Sequence, residues 1–106
     1  MNKIVFWKEA AKEYKNMDGN SKQWVNIAIE RLELKGSSIG KLLGNTQYAK
    51  LSGFKELKNQ KLGLRMIYKA TDEGQIEVIE IIVIGKREDA KVFKEAEKRR
   101  VKRIEK

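Results

Sequence analysis

Gly63-Leu64-Arg65-Met66-Ile67-Tyr68-Lys69-Ala70-Thr71-Asp72-Glu73-Gly74-Gln75-Ile76-Glu77-Val78-Ile79-Glu80-Ile81-Ile82-Val83-Ile84 is the stretch on which the fold turns. Leu62 to Ala70 and Ile76 to Ile84 are rich in β-branched and aromatic residues. The tetrad Thr71-Asp72-Glu73-Gly74 between them is dense in turn formers, so the whole reads as a β-hairpin. Side chains alternate along a strand, which sends Leu62, Leu64, Met66 and Tyr68 one way and Lys61, Arg65 and Lys69 the other. One face of this strand is expected to be core and the other basic. Ile81 to Ile84 is apolar on both faces, the pattern of a central strand covered on both sides.

Upstream, Phe54 to Lys58 reads as a preceding strand, and Ile4-Val5-Phe6-Trp7 as a short buried one. Lys8 to Met17 has helical character. Asp18-Gly19-Asn20-Ser21 then carries capping residues, with Ser21 the expected N-cap of a second helix. Trp24, Val25, Ala28, Ile29 and Leu32 recur at helical spacing until Gly36 ends the pattern, so the two helices form a hairpin. Gly36 to Ser52 reads as loop, with a short turn at Lys41 to Leu43. Glu88 to Lys106 is a Lys/Arg/Glu-rich helix with a thin apolar stripe of Ala90, Phe93, Ala96 and Ile104, a plausible docking surface for a partner protein. The expected fold is therefore α+β: an N-terminal strand, a helical hairpin, a mainly antiparallel sheet of about four strands and a basic C-terminal helix. Residues 1–106 make a single domain, since no Pro-rich, low-complexity or repeated segment divides them.

Charge narrows the function classes. Twenty-four Lys and Arg against 15 Asp and Glu leave a net +9, which calls for an anionic partner. With no Cys and no His, thiol nucleophiles, disulfides, imidazole-dependent triads and the usual zinc sites are excluded. The longest apolar runs are four residues, too short for a signal-peptide core or a membrane-spanning helix, and a soluble, cytoplasmic protein is expected.

Few motifs carry chemistry. Gly36-Ser-Ser-Ile-Gly40-Lys41 has one residue too few between its glycines for a phosphate-binding loop, and Leu42 stands where a magnesium-binding Ser or Thr belongs. The carboxylate pairs Asp72/Glu73 and Glu88/Asp89 sit beside cations, in a turn and at a helix start, where acids serve as caps and dipole partners. No metal and no cofactor is expected. The basic strand face remains: Arg65 and Lys69 on one strand, Lys58 on the one before, and Gly85-Lys86-Arg87 at the end of the central strand. It reads equally as a solvated edge and as an RNA or phosphate site.

Gly63-Leu64-Arg65-Met66-Ile67-Tyr68, followed by an apolar strand and Gly85-Lys86-Arg87-Glu88-Asp89-Ala90-Lys91-Val92-Phe93, resembles the paired signature of the RelE/ParE toxin superfamily. The element order β-α-α-β-β-β is similar to that family's, and Gly40-Lys-Leu-Leu-Gly44 with Leu51-Ser-Gly-Phe-Lys-Glu-Leu-Lys58 looks like the connection in RelE-like members. The resemblance spans nearly the whole chain. It implies the toxin of a type II toxin–antitoxin system, a metal-independent endoribonuclease (mRNA interferase) that cleaves mRNA on the ribosome and leaves 2′,3′-cyclic phosphate ends. The implied partners are a cognate antitoxin, mRNA and the ribosome, with no membrane.

By the same resemblance Arg65 and Arg87 match the arginines that hold the scissile phosphate, and Lys58 matches a family lysine. Two positions depart. Phe93 stands where RelE itself has Tyr, and Glu56 replaces a second family lysine. Phe93 can stack but cannot exchange a proton. Glu56 reads either as a general base or, more simply, as a salt-bridge partner of Lys58. Lys55, Lys61, Lys69, Lys86 and Lys91 are the expected RNA-binding cations around this set. Two other readings stay open: a ParE-like gyrase inhibitor, which needs no nuclease residues, and a catalytically weak module that binds RNA or antitoxin.

Overall fold

A computed structural model describes residues 1–44, 53–86 and 91–104 of the chain. Arg87, Glu88, Asp89, Ala90 and the side chain of Ile104 lie outside the described residues, as does the stretch 45–52. The elements run β1 (Lys3–Phe6), α1 (Lys8–Lys15), α2 (Gly19–Lys35), a 3₁₀ turn (Ser37–Ile39), β2 (Lys41–Leu42), β3 (Lys55–Asn59), β4 (Leu64–Glu73), β5 (Ile76–Lys86) and α3 (Lys91–Ile104). The strands form one mixed sheet in the order β1-β5-β4-β3-β2. Only β1 and β5 pair in parallel; the other neighbours are antiparallel. The α+β reading holds, with five strands among the described residues rather than about four. The extra one is β2, two residues in the stretch read as loop, too short to show a period. None of the described helices is long and apolar enough to cross a membrane.

The sequence reading is corrected at three local points. The N-cap of α2 is Asp18, whose carboxylate accepts the Ser21 N–H at 2.8 Å, so Ser21 lies inside the helix it was expected to cap. The hairpin turn is tighter than the tetrad suggested. β4 continues through Asp72 and Glu73, which pair with Glu77 and Ile76, and only Gly74 and Gln75 make the loop. Gly74 has φ 74°, a left-handed conformation that disfavours any side chain. The face of β4 expected to be open and basic is largely covered by α3. Ile67 on that face is fully buried, and Val92, Phe93 and Ala96 of α3 are buried with it. Phe93 and Ala96, the described part of the apolar stripe of α3, are thus core residues, which takes them out of the expected docking surface.

β5 is the spine of the molecule. Ile79, Ile81, Ile82, Val83 and Ile84 are all buried, as a strand covered on both faces requires. Its pairing with β4 slips between Ile67 and Tyr68, because Ile67 faces Val83 and Tyr68 faces Ile81, leaving Ile82 as the bulged residue. On its other side β1 stops at Phe6, paired with Ile81, while β5 runs on to Lys86. Side chains finish what β1 leaves open. Arg99 Nη1 donates to the Ile82 carbonyl at 2.7 Å, and the Ile84 N–H donates to Glu13 Oε1 at 3.1 Å. Arg99 and Glu13 also pair with each other through two 2.9 Å hydrogen bonds, and Arg99 Nε donates to Glu95 at 2.8 Å.

Tyr68 pins the 3₁₀ turn to the sheet. Its hydroxyl donates to the Ser37 carbonyl at 2.6 Å, and Ser37 in turn donates its N–H and Oγ–H to Glu77, each at 2.7 Å. These two bonds hold the Glu77 carboxyl below its usual range. Gly40 packs so closely that a Cβ there would collide with the Tyr68 hydroxyl. Burial pushes the Tyr68 phenol up to about 12.

Unfolded tyrosine ionises near pH 10, so Tyr68 favours the folded state fully below that pH, and its contribution is lost as pH rises from about 10 to 12. Denaturant midpoints measured from pH 8 to 12 should fall more steeply in the native chain than in Tyr68→Phe, by on the order of 2 kcal/mol across the window. Gly40→Ala should cost about 2 kcal/mol at pH 7 in the same measurement, because an overpacked site must shift the turn.

Candidate active site on the outer strands

The candidate site is set by strand register. Lys58 on β3 lies opposite Arg65 on β4, Glu56 lies opposite Ile67, and Lys41 on β2 lies opposite Glu56. Residues opposite each other share a face. Lys41, Glu56, Lys58 and Arg65 therefore rise from the same side of the sheet, beside the N-terminal turn of α3. Lys41 and Lys58 are exposed, Arg65 is 14% exposed and Glu56 only 5%.

Arg65 is the fixed point of this group. Its Nε lies 3.1 Å from Glu56 Oε2, and its guanidinium carbon sits 4.5 Å over the Phe93 ring. Neither of these two facing atoms makes a hydrogen bond, so the contact is an ion pair held by charge at an angle that misses hydrogen-bond geometry. The Nε edge is turned toward the carboxylate and one planar face toward the ring, which leaves approach by the terminal nitrogens. Phe93 is 6% exposed and its ring carries the guanidinium. The expected Glu56–Lys58 pair does not form: Glu56 is paired with Arg65 on the neighbouring strand. Sequence could not choose between them, since either cation lies within reach once β3 and β4 are neighbours.

The remaining cations scatter. Lys55 is on the opposite face of β3, where its ammonium donates to Ser37 Oγ at 3.2 Å. Lys69 lies further along β4, 3.7 Å from Glu80 and 5.5 Å above the Trp7 ring. Lys61 is exposed in the β3–β4 turn, Lys86 at the end of β5 and Lys91 at the start of α3. Arg87, the second candidate phosphate ligand, lies outside the described residues. Lys41 is the residue that sequence reasoning missed, because only the pairing of β2 with β3 brings it to this face.

A scan against protein-family models finds no match, and a search of curated proteins finds none either. Solved structures do match. An arginine-to-alanine double mutant of E. coli toxin RelE in the free state is 28% identical over 97% of both chains, with a TM-score of 0.67. A chain of the intact E. coli RelBE toxin–antitoxin complex is 18% identical over 84% of this chain and all of its own, at a TM-score of 0.63. A YoeB/ParE toxin from Agrobacterium tumefaciens is 16% identical over 79% of this chain and 97% of its own, at 0.61.

Truncating Arg65 strands a nearly buried carboxylate. Arg65→Ala should therefore destabilise the fold by about 3 kcal/mol, and Arg65→Ala combined with Glu56→Ala should recover a large part of that loss. Denaturant unfolding of the two single variants and the double variant measures the coupling directly.

Proposed function

We propose, from the premise that the chain has the fold of the RelE/ParE toxin superfamily, that it is the toxin of a toxin–antitoxin pair and a metal-independent endoribonuclease acting on mRNA at the ribosome. The observation that carries the reading is Arg65. A guanidinium braced on one edge by Glu56 and on one face by Phe93, with Lys58 on the opposite rung, is a preorganised donor for a phosphodiester. Rigidity matters because the reacting phosphate gains negative charge on the way to a pentacoordinate transition state. A donor already in place strengthens its hold as that charge develops.

In the reaction the ribose 2′-oxygen loses its proton and bonds to phosphorus, the bond from phosphorus to the 5′-oxygen breaks, and that oxygen takes up a proton. The products are a 2′,3′-cyclic phosphate and a free 5′-hydroxyl. Arg65, and Arg87 by its match to the family signature, neutralise the non-bridging oxygens. Lys58, exposed on the rung opposite Arg65, stabilises the departing oxygen. Glu56 serves as a positioning residue, because its carboxylate is engaged with Arg65. Phe93 carries no phenol, so it contributes the platform for Arg65 and no proton. The antitoxin is the expected protein partner, as a toxin–antitoxin complex shares this fold.

Induction in cells followed by mapping of RNA ends tests the reading, and 2′,3′-cyclic phosphate termini on cleaved mRNA are the expected result. Arg65→Lys keeps the charge and loses the planar fork, and should slow cleavage by about a hundredfold, or about 3 kcal/mol. Glu56→Gln should lower the rate while leaving the pH–rate profile unchanged in shape; loss of its acidic limb would make Glu56 the general base instead. Intact RNA together with inhibited DNA supercoiling would move the assignment to a gyrase inhibitor.

A further inference from the structure

We infer that the outer face of α3 is a track for the RNA backbone, leading the substrate strand away from Arg65 and across the helix to a cationic cleft at Trp7; this rests on the endoribonuclease reading. Lys91, Lys94, Lys98 and Lys102 follow at spacings of three, four and four residues, so all four fall on one stripe of the helix. All are exposed, and among the described residues none lies within 4.0 Å of a carboxylate. The stripe is about 16 Å long at 1.5 Å per residue. Two other basic side chains of the helix are engaged, Arg99 buried against Glu13 and Glu95 and Arg103 drawn toward Glu80, while Arg100 is half-buried and off the stripe. Four like charges on one exposed face repel one another, and a polyanion relieves that repulsion.

The stripe ends in a built feature. Lys102 lines a cleft of about 180 Å³ together with Trp7, Lys8, Glu9, Arg99 and Arg103. The Arg103 guanidinium lies 4.3 Å over the Trp7 ring, and the buried indole donates its N–H to Glu80 at 2.9 Å. Trp7 is thereby fixed, and it fixes Arg103 at the cleft wall. Glu9 is the one acid lining the cleft. Its carboxyl is held below the usual range chiefly by a backbone hydrogen bond at the start of α1 and further by Arg99, Lys102 and Arg103. Lys8 and Lys102 face solvent without an ion-pair partner among the described residues. A flexible, negatively charged strand of single-stranded RNA meets this geometry better than a protein, because the stripe offers four lysines and Val101 is the one large exposed hydrophobic residue beside them on the described helix.

The test compares Lys94→Ala/Lys98→Ala/Lys102→Ala with a charge-matched control, Lys3→Ala/Lys15→Ala/Lys35→Ala, whose lysines are exposed on β1, α1 and α2. Binding of single-stranded RNA of about three and about twelve nucleotides is measured against salt. For the long RNA, the stripe variant should lose about 2 from the log–log salt slope and bind at least tenfold more weakly, since each lost phosphate contact on a single strand removes roughly 0.7. The short RNA should bind the stripe variant and the native chain alike, and the control variant should keep the native slope within about 0.5. Equal loss in both variants, or equal loss for both RNA lengths, reduces the stripe to bulk charge and overturns the inference. If the native chain binds and cuts the long RNA while the stripe variant is unchanged, the track fails and the endoribonuclease reading stands. If the native chain neither binds nor cuts RNA, both fall.

Discussion

The Arg99–Glu13 pair closes the one gap that would otherwise leave the central strand exposed. β5 is paired on one side by β4 along its whole length and on the other by β1 only as far as Ile81. Beyond that point its carbonyl at Ile82 and N–H at Ile84 need partners, because unpaired buried backbone groups cost about as much as lost hydrogen bonds. A guanidinium and a carboxylate, one from α3 and one from α1, supply them and neutralise each other. The ion pair is well placed by the usual measure of buried pairs: two parallel bonds, with Glu95 satisfying the remaining edge of Arg99.

Because that pair draws α3 onto the sheet, it also builds the candidate site. Phe93 lies at the start of the helix that Arg99 anchors two turns later, and Phe93 is the surface on which Arg65 rests. Sheet register then brings Lys58 and Lys41 to the same side without any help from the helix. The site thus has a rigid half, made by packing, and an exposed half, made by lysines that pay for little order of their own. This division suits a phosphate ligand, which needs one fixed donor and a surrounding positive field.

Charge is distributed by the same logic. Several of the cations nearest the sheet are matched: Arg65 with Glu56, Lys69 and Arg103 with Glu80, Arg99 with Glu13 and Glu95. The cations without an ion pair among the described residues lie on the outer face of α3 and along the β2–β3 edge, and also on β1, α1 and α2, as Lys3, Lys15 and Lys35 do, at exposed positions where desolvation costs are low and long-range attraction is not cancelled.

The sequence by itself determined the parts governed by local physics. The 3.6-residue repeat from Trp24 to Leu32, the glycine stop at Gly36, the alternation around Arg65 and the two-sided apolar run Ile81 to Ile84 depend on neighbours along the chain, and all are found where the pattern put them. The signature around Gly63 to Tyr68 also carried the fold family, which the solved structures share. Tertiary structure decided the rest. Whether Glu56 meets Lys58 or Arg65, whether the face of β4 is open or covered, and whether Lys41 joins the site or Lys55 leaves it all depend on which strand lies beside which and where α3 packs. Those are contacts between residues distant in sequence, and a lysine or an arginine reads the same in the chain whether a carboxylate waits across the sheet or not.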